Sequence, residues 1–254
     1  MELTIVPLTE RPELAPALFS RELSFVWPTF MRRSKTGELY FAPDRFARFR
    51  DFVLVAFDPS RPDVVLGRAM SAPFRLDPEL GREGLPDAGW DEVIRWADED
   101  ARLGRETDTI SALEILLHPE AAGRGFAARM VGALREHARR LGFRELVAPV
   151  RPTSKHLEPD TPIEEYAFRT RQDGLPYDPW LRVHVRAGGG LVRVAPCSMT
   201  IVGSLPEWRR WTGLPFDRSG PLTVPQALVP VHVSVQQGHA VYVEPNVWVR
   251  HPLG

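Results

Sequence analysis

Cysteine is almost missing from this chain. Cys197 is the single one in 254 residues, so no internal disulfide and no cysteine-rich zinc site can form. The seven histidines are scattered, with no His-x-x-x-His pair and no acid cluster beside them, and a metal site is not expected. Charge of one sign is also lacking. The formal net charge is -1, so no global field attracts nucleic acid. Arg139-Arg140 and Arg209-Arg210 are short pairs without a stacking aromatic series, and they read as solvated faces. No apolar run approaches membrane-spanning length. The opening Met1-Glu-Leu-Thr-Ile-Val-Pro-Leu is too short and carries an acid, so no secretion signal is expected and the expected compartment is the cytoplasm. There is no internal repeat, no low-complexity tract and no Gly-Lys-Ser/Thr of a P-loop.

What is present is ordinary in bulk. Hydrophobic residues are 43% and charged residues 26%, as in a globular protein with a real core. The informative stretch runs from Ile110 to Thr153. Ile110-Ser-Ala-Leu-Glu-Ile-Leu-Leu-His-Pro119 is a short apolar run closed by a proline that removes a ladder donor, which predicts a strand. Phe126, Met130, Val131, Leu134, Ala138 and Leu141 recur at helical spacing, and Gly142 follows as a helix stop. Leu146 to Val150 is a second apolar run. Strand, crossover helix and strand make a βαβ-like unit. Between strand and helix, Gly123 and Gly125 permit a close backbone approach. The helix's first amides are unpaired and carry the positive end of its dipole, so the loop is an anion site suited to pyrophosphate, with Arg124 and Arg129 nearby.

This arrangement resembles the acyl-CoA-binding core of the GCN5-related N-acetyltransferase (GNAT) superfamily. The family pattern is a strand ending near a proline, then Gln/Arg-x-x-Gly-x-Gly/Ala, then a helix. Gly125 and Ala127 match its last two fixed positions. Ala122 stands where the family has Gln or Arg, which leaves the backbone cradle without that side chain. The resemblance implies that Leu117, Gly123, Arg124, Gly125, Phe126, Ala127 and Arg129 bind acetyl-CoA or another acyl-CoA, a phosphopantetheine thioester. It also places Arg139 or Arg140 within reach of the 3′-phosphate. The competing reading is a glycine-containing turn that merely enters an amphipathic helix.

The rest of the chain follows the same order in outline. Leu3–Leu8 reads as a strand and Arg11–Ser20 as a helix. Phe25-Val-Trp27-Pro-Thr-Phe30-Met31 is an aromatic cluster, either a pocket wall or a core plug. Asp44–Arg50 is helical, and two apolar runs around Asp58-Pro-Ser-Arg-Pro-Asp63 predict a hairpin. Asp77–Gly89 with the helix Trp90–Leu103 is an insertion, a lid or wall over the substrate or a purely structural element. Thr161 reads as an N-cap for a helix carrying Tyr166. Asp178-Pro179 starts a helix carrying His184, and the strands Leu191–Val202, Pro230–Val235 and His239–Val249 complete the chain. The expected fold is α/β (α+β) and GNAT-like: a mixed, mostly antiparallel sheet, a central splayed parallel strand pair, and helices on both faces. One domain spans 1–254, with N-terminal strands and helices over 1–75, the inserted helix over 76–105, the acyl-CoA core over 106–153, and closing helices with a C-terminal hairpin over 154–254.

Acyl transfer needs a base, a polarised carbonyl and an acid for the thiolate. Glu114 is the only acid within the central strand. It is either a general base, directly or through water, or a residue facing solvent or a salt bridge. Tyr166 lies, by order alone, on the helix that supplies a tyrosine acid in many GNAT enzymes; otherwise it is a core tyrosine. The second half is also similar to GNAT-like loading domains of polyketide synthases, which decarboxylate malonyl thioesters and move acyl groups to a carrier protein. That resemblance singles out Thr153, His184 and Trp27, and it directs attention to Glu244-Pro-Asn-Val-Trp248 without assigning it a role. The expected activity is therefore acyl transfer from acyl-CoA to an amine. A thioester decarboxylase or S-acyltransferase and a non-catalytic acyl-CoA-binding protein are the alternatives. The partner is a small-molecule acceptor or an acyl carrier protein, with no nucleic acid and no membrane; a homodimer is allowed.

Overall fold

The computed structural model describes residues 2–20, 23 and 27–254, so Phe25 and Val26 of the aromatic cluster lie outside the described residues. Strand β1 (Thr4–Pro7) leads to the short helix α1 (Ala15–Leu18). The helix expected over Arg11–Ser20 is broken up. Pro12 starts a 3-10 turn and Pro16 sits inside the single α-turn, because each proline removes an amide donor. Helices α2 (Glu38–Phe41) and α3 (Pro43–Phe46) precede the hairpin of β2 (Val53–Asp58) and β3 (Arg61–Phe74). Next come α4 (Gly89–Leu103), β4 (Thr109–Leu117), α5 (Phe126–Arg140) and β5 (Glu145–Val150). The chain closes with α6 (Ile163–Ala167), α7 (Pro179–Arg186), β6 (Gly190–Ser204), α8 (Leu205–Thr212), β7 (Gly220–Leu222), β8 (Val231–Ser234) and β9 (His239–Pro252). Thr161 does not cap α6: Pro162 holds that position, and the threonine hydroxyl donates to Glu158 instead.

Among the described residues nine strands form one sheet in the order β1-β2-β3-β4-β5-β9-β8-β7, with β6 paired to β9. β4 and β5 are parallel, and every other pairing is antiparallel. This is the mixed sheet with helices that the sequence predicts. Two apolar clusters flank it. On one face α5 lays Phe126, Met130, Leu134 and Ala138 against Ile110, Leu146 and Val249. On the other, Phe30, Tyr40, Trp90, Trp208, Tyr242 and Trp248 pack over β3, β6 and β9. Burying aromatic side chains of this size contributes about 2 kcal/mol each, so the second face carries much of the fold's stability.

The inserted helix is firmly anchored. α4 packs on β3 and β6, and three of its aspartates are buried anchors. Asp91 accepts from the Thr200 amide, Asp98 from Arg45, Arg48 and Arg102, and Asp100 from Arg82, Arg105 and the Arg75 amide. Gly189, just before β6, leaves no room for a side chain. A Cβ there would stand 2.6 Å from His251 Cε1 and 2.9 Å from the His184 carbonyl oxygen. Gly189→Ala should therefore lower unfolding stability by about 2 kcal/mol, measured by denaturant titration. A change within about 0.5 kcal/mol would mean that this packing is loose.

Candidate active site

The glycine loop has the conformation its residues allow. Gly123 and Gly125 adopt φ of 70° and 75°, and Gly125 is the N-cap of the fifteen-residue α5. Nothing lies within 4 Å of a Cβ placed on either glycine, so the loop faces open space. Phe126 is buried beneath it and Ala127 is half-buried, so the first-turn amides sit on a firm base. This cradle fits a pyrophosphate through backbone donors. Arg124 is exposed and free to approach an anion. Arg129 is turned the other way: its guanidinium donates to the Leu3 carbonyl and lies against Phe126, so it braces α5 on β1. Arg139 and Arg140 both pair with Glu136.

From this loop, β4 and β5 diverge. Their parallel ladder consists of Ile110↔Leu146 and Ser111↔Val147 only. Beyond it, Ala112–Leu117 and Ala148–Val150 present unpaired backbone groups to each other, a slot where the amides of a pantetheine arm can pair as an added strand. The far edge of β4 is also disturbed. A register shift against β3 between Met70 and Ser71 leaves Leu113 unpaired, and the Trp90 indole donates to the Leu113 carbonyl at 3.0 Å. Leu117 ends β4 with its side chain packed into the α5-side cluster.

Glu114 sits beside that bulge in a salt bridge. Arg68 Nε donates to its Oε1 at 2.5 Å, and the Trp27 indole nitrogen donates to its Oε2 at 2.8 Å. Arg68 is buried, and its other end donates to the Leu18 carbonyl under Phe19. A second pair stands across the slot. Arg151, the first residue after β5, donates through Nε to Glu244 Oε2 at 2.9 Å, and its guanidinium lies 5.9 Å from the Trp27 ring centre. Trp27 thus touches both pairs, one on each side of the diverging strands. Glu244 also accepts from Tyr242 and Asn246, Asn246 accepts from Ser198, and Ser198 accepts from the Trp90 amide. Sequence reasoning missed Arg68, Arg151, Ser198 and Asn246. An arginine inside the apolar run Val64–Met70 was the available signal for Arg68, since a charge is tolerated there only when paired.

No family model matches the chain. The loading GNATL domain of CurA from Lyngbya majuscula superposes with a TM-score of 0.55 at 14% identity, covering 100% of this chain and 98% of that one. The GphF GNAT-like decarboxylase in complex with isobutyryl-CoA gives 0.55 at 15%, covering 100% of each. These are likenesses of fold. In sequence, the arginine N-acetyltransferase avaD of Aspergillus versicolor is 32% identical over 269 residues, spanning 96% of this chain and 91% of that one. The chain belongs to the GNAT superfamily. As a GNAT enzyme it is an acyl-CoA-dependent acyltransferase. Among the described residues no helix is long and apolar enough to cross a membrane, and no group of three or more His, Cys, Asp or Glu is placed to hold a metal ion.

The GNAT frame makes the other sequence candidates comparable. Thr153 is exposed just past β5, and its carbonyl meets His156. Tyr166 is fully buried. Its hydroxyl donates to Asp178 Oδ2 at 3.0 Å, while Asp178 Oδ1 caps α7. Burial and the Asp178 charge raise the Tyr166 phenol well above its ordinary value. His184 is not brought to Thr153: its Nδ1 lies 2.9 Å from Nε2 of His251, and Trp180 packs on its ring. His251 pairs across the sheet with Leu146, at the closed end of the β4–β5 ladder, away from the slot.

Burial lowers His184 to about 3, with the His251 ring adding to it, and lowers His251 to about 4, with Arg135 adding to it. Both rings are neutral in the folded protein, whereas the unfolded rings take protons below about pH 6.5. Their contribution to stability is complete above that pH and is lost as pH falls toward 4 and then 3. Between pH 7 and pH 4.5 the melting temperature should fall by on the order of 10 °C, and the His184→Gln/His251→Gln variant should fall less steeply. An unchanged slope in a thermal melt series would assign the acid sensitivity to other groups.

Proposed function

We propose that this GNAT enzyme moves an acetyl group from acetyl-CoA to the amino group of an amine of the arginine class. The acceptor class is supported by the avaD relative. The observation that carries the chemistry is the Glu114 carboxylate, held by Arg68 and Trp27 beside the bulge of β4, the strand that forms one side of the slot. The Gly123–Ala127 loop and the first amides of α5 hold the pyrophosphate, and the unpaired strand edges hold the pantetheine arm. The thioester carbonyl then lies between Glu114 and Thr153. The acceptor arrives as an ammonium. Glu114, directly or through one water, takes its proton, and the freed lone pair forms the C–N bond. Unpaired amides of the slot stabilise the oxyanion. As the C–S bond breaks, the nitrogen gives up its second proton and the CoA thiolate takes one, relayed through water at the open end, where Thr153 offers a hydroxyl. The products are the amide and the CoA thiol, with one proton left on Glu114. Trp27 forms the acceptor wall. Tyr166 and His184 are committed to buried partners and receive no step here.

Glu114→Gln should lower kcat/KM for arginine by about 100-fold or more while leaving acetyl-CoA affinity in place, read by steady-state rates and calorimetry. The variant also leaves Arg68 buried without its counter-charge, so a stability loss of about 3 kcal/mol accompanies it. Full activity in the variant would remove Glu114 from the mechanism. Gly125→Val forces a β-branched residue into a left-handed conformation and should weaken acetyl-CoA binding about 10-fold with an unchanged circular dichroism spectrum. Equal affinity in that variant would place the cofactor elsewhere.

A further inference from the structure

The Arg151–Glu244 pair has no part in the chemistry above, yet the protein fixes it with unusual care. Glu244 is 1% exposed and fully occupied: the Tyr242 hydroxyl donates to it at 2.8 Å, Asn246 at 3.2 Å and Arg151 at 2.9 Å. Buried and bonded through both oxygens, it is out of reach of a ligand, so its effect is to orient Arg151. The second hold on Arg151 is the Gln226 carbonyl, which accepts from Nη2. Gln226 adopts φ of 71°, a left-handed conformation that costs a non-glycine residue of order 1 kcal/mol. That turn is itself pinned. The Leu228 amide donates to Tyr242 at 2.8 Å, and the Leu228 carbonyl accepts from the buried Lys155 ammonium at 2.9 Å. Tyr242 serves both holds.

What remains of the guanidinium is its Nη1 end. Among the described residues no hydrogen bond is formed by Nη1 itself. The Tyr242 phenol stands close to the guanidinium, but it donates to Glu244 and accepts from the Leu228 amide, and the Arg151 side chain keeps 16% of its surface open. An arginine restrained at Nε and Nη2 with a donor left over is arranged to meet a carboxylate, with little further entropy to lose. Trp27 relates it to the reaction, since the same indole bonds Glu114 and lies under Arg151. Charge narrows the ligand further. Each of the two pairs is neutral in itself, so a zwitterionic head group adds no uncompensated charge to this half-buried site.

We propose that Arg151 is the carboxylate-binding residue of the acceptor site, and that the acceptor is a free α-amino acid, its ammonium directed to Glu114 and its carboxylate to Arg151. This rests on the amine-acetyltransferase reading and adds the acceptor's second recognised group. It distinguishes amino acids from the decarboxylated amines that share their side chains.

The test compares kcat/KM for L-arginine, L-arginine methyl ester and agmatine with acetyl-CoA. The wild-type enzyme should use the ester and agmatine about 100-fold less well than arginine, mainly through KM. In Arg151→Gln the ratio of arginine to agmatine should collapse to near one. Arg151→Lys keeps the charge but not the fork and should fall between, and it serves should the glutamine variant fail to fold. Acetyl-CoA affinity serves as the check on folding. Equal use of arginine and agmatine by the wild type, or an undiminished preference in a folded Arg151→Gln, overturns the assignment while the acetyltransferase reading stands. Binding of acetyl-CoA with turnover of none of the three, nor of lysine or cadaverine, sinks that reading and this inference with it.

Discussion

A parallel ladder that stops after two residue pairs is the constraint on which the rest of this structure depends. Buried backbone donors and acceptors are almost always paired, and a sheet left to itself would zip β4 to β5 along their whole length. Here the zipping ends at Ser111↔Val147. The bulge at Leu113 turns the far edge of β4 aside, and Trp90 takes the carbonyl the bulge frees. On β5, Pro149 supplies no amide at all, so the diverging edge asks for fewer partners than its length suggests. The glycine loop follows the last residues of β4, so the anion cradle and the slot lie along one line.

The polar side chains around the slot are geometry rather than glue. A buried ion pair gains little over a packed apolar pair, because removing both charges from water costs nearly what their attraction returns. The stability to tolerate Arg68–Glu114 and Arg151–Glu244 comes from the aromatic cluster of Trp208, Trp248, Tyr242 and Phe30 on the same face. Two of those indoles are themselves tied to backbone carbonyls, Trp208 to Ala240 and Trp248 to Pro86. The inserted helix belongs to this support. It is anchored through Asp91, Asp98 and Asp100, and it presents Trp90 to the bulge.

The unit from β4 to β5 was legible because each piece states itself locally: an apolar run, a pair of glycines, a helical repeat, a second run. Most of the sheet was readable for the same reason. The losses have local causes too. Pro16 shortened the first helix, Pro162 displaced Thr161 as a cap, and the three residues Gly220–Leu222 are too few for alternation to register as a strand. The site was harder. Glu114 and Trp27 were visible as single candidates, but their bond spans 87 positions. Arg68 meets Glu114 through strand register, and Arg151 meets Glu244 through the β5–β9 pairing; neither is written in spacing along the chain. Glu244-Pro-Asn-Val-Trp248 stood out in the sequence, yet its place between Tyr242, Ser198 and Arg151 required the folded sheet. The place of His184 at the closed end of the ladder was not readable either, because order along the chain carries no information about which end of a strand a helix reaches.

The cage around Lys155 bears on how this protein coexists with its own substrate. The ammonium is fully buried and donates to the carbonyls of Glu158, Pro159 and Leu228, which leaves its nitrogen no lone pair to offer. The sequence holds only one other lysine, the exposed Lys35; every remaining basic side chain besides histidine is an arginine. Reactive thioesters acylate lysine amines without any enzyme, whereas guanidinium groups stay protonated and inert. With the thioester bound in the central slot, as proposed above, the sequence would offer it a single exposed lysine to damage, and the ion pairs around it are built from the base that does not react.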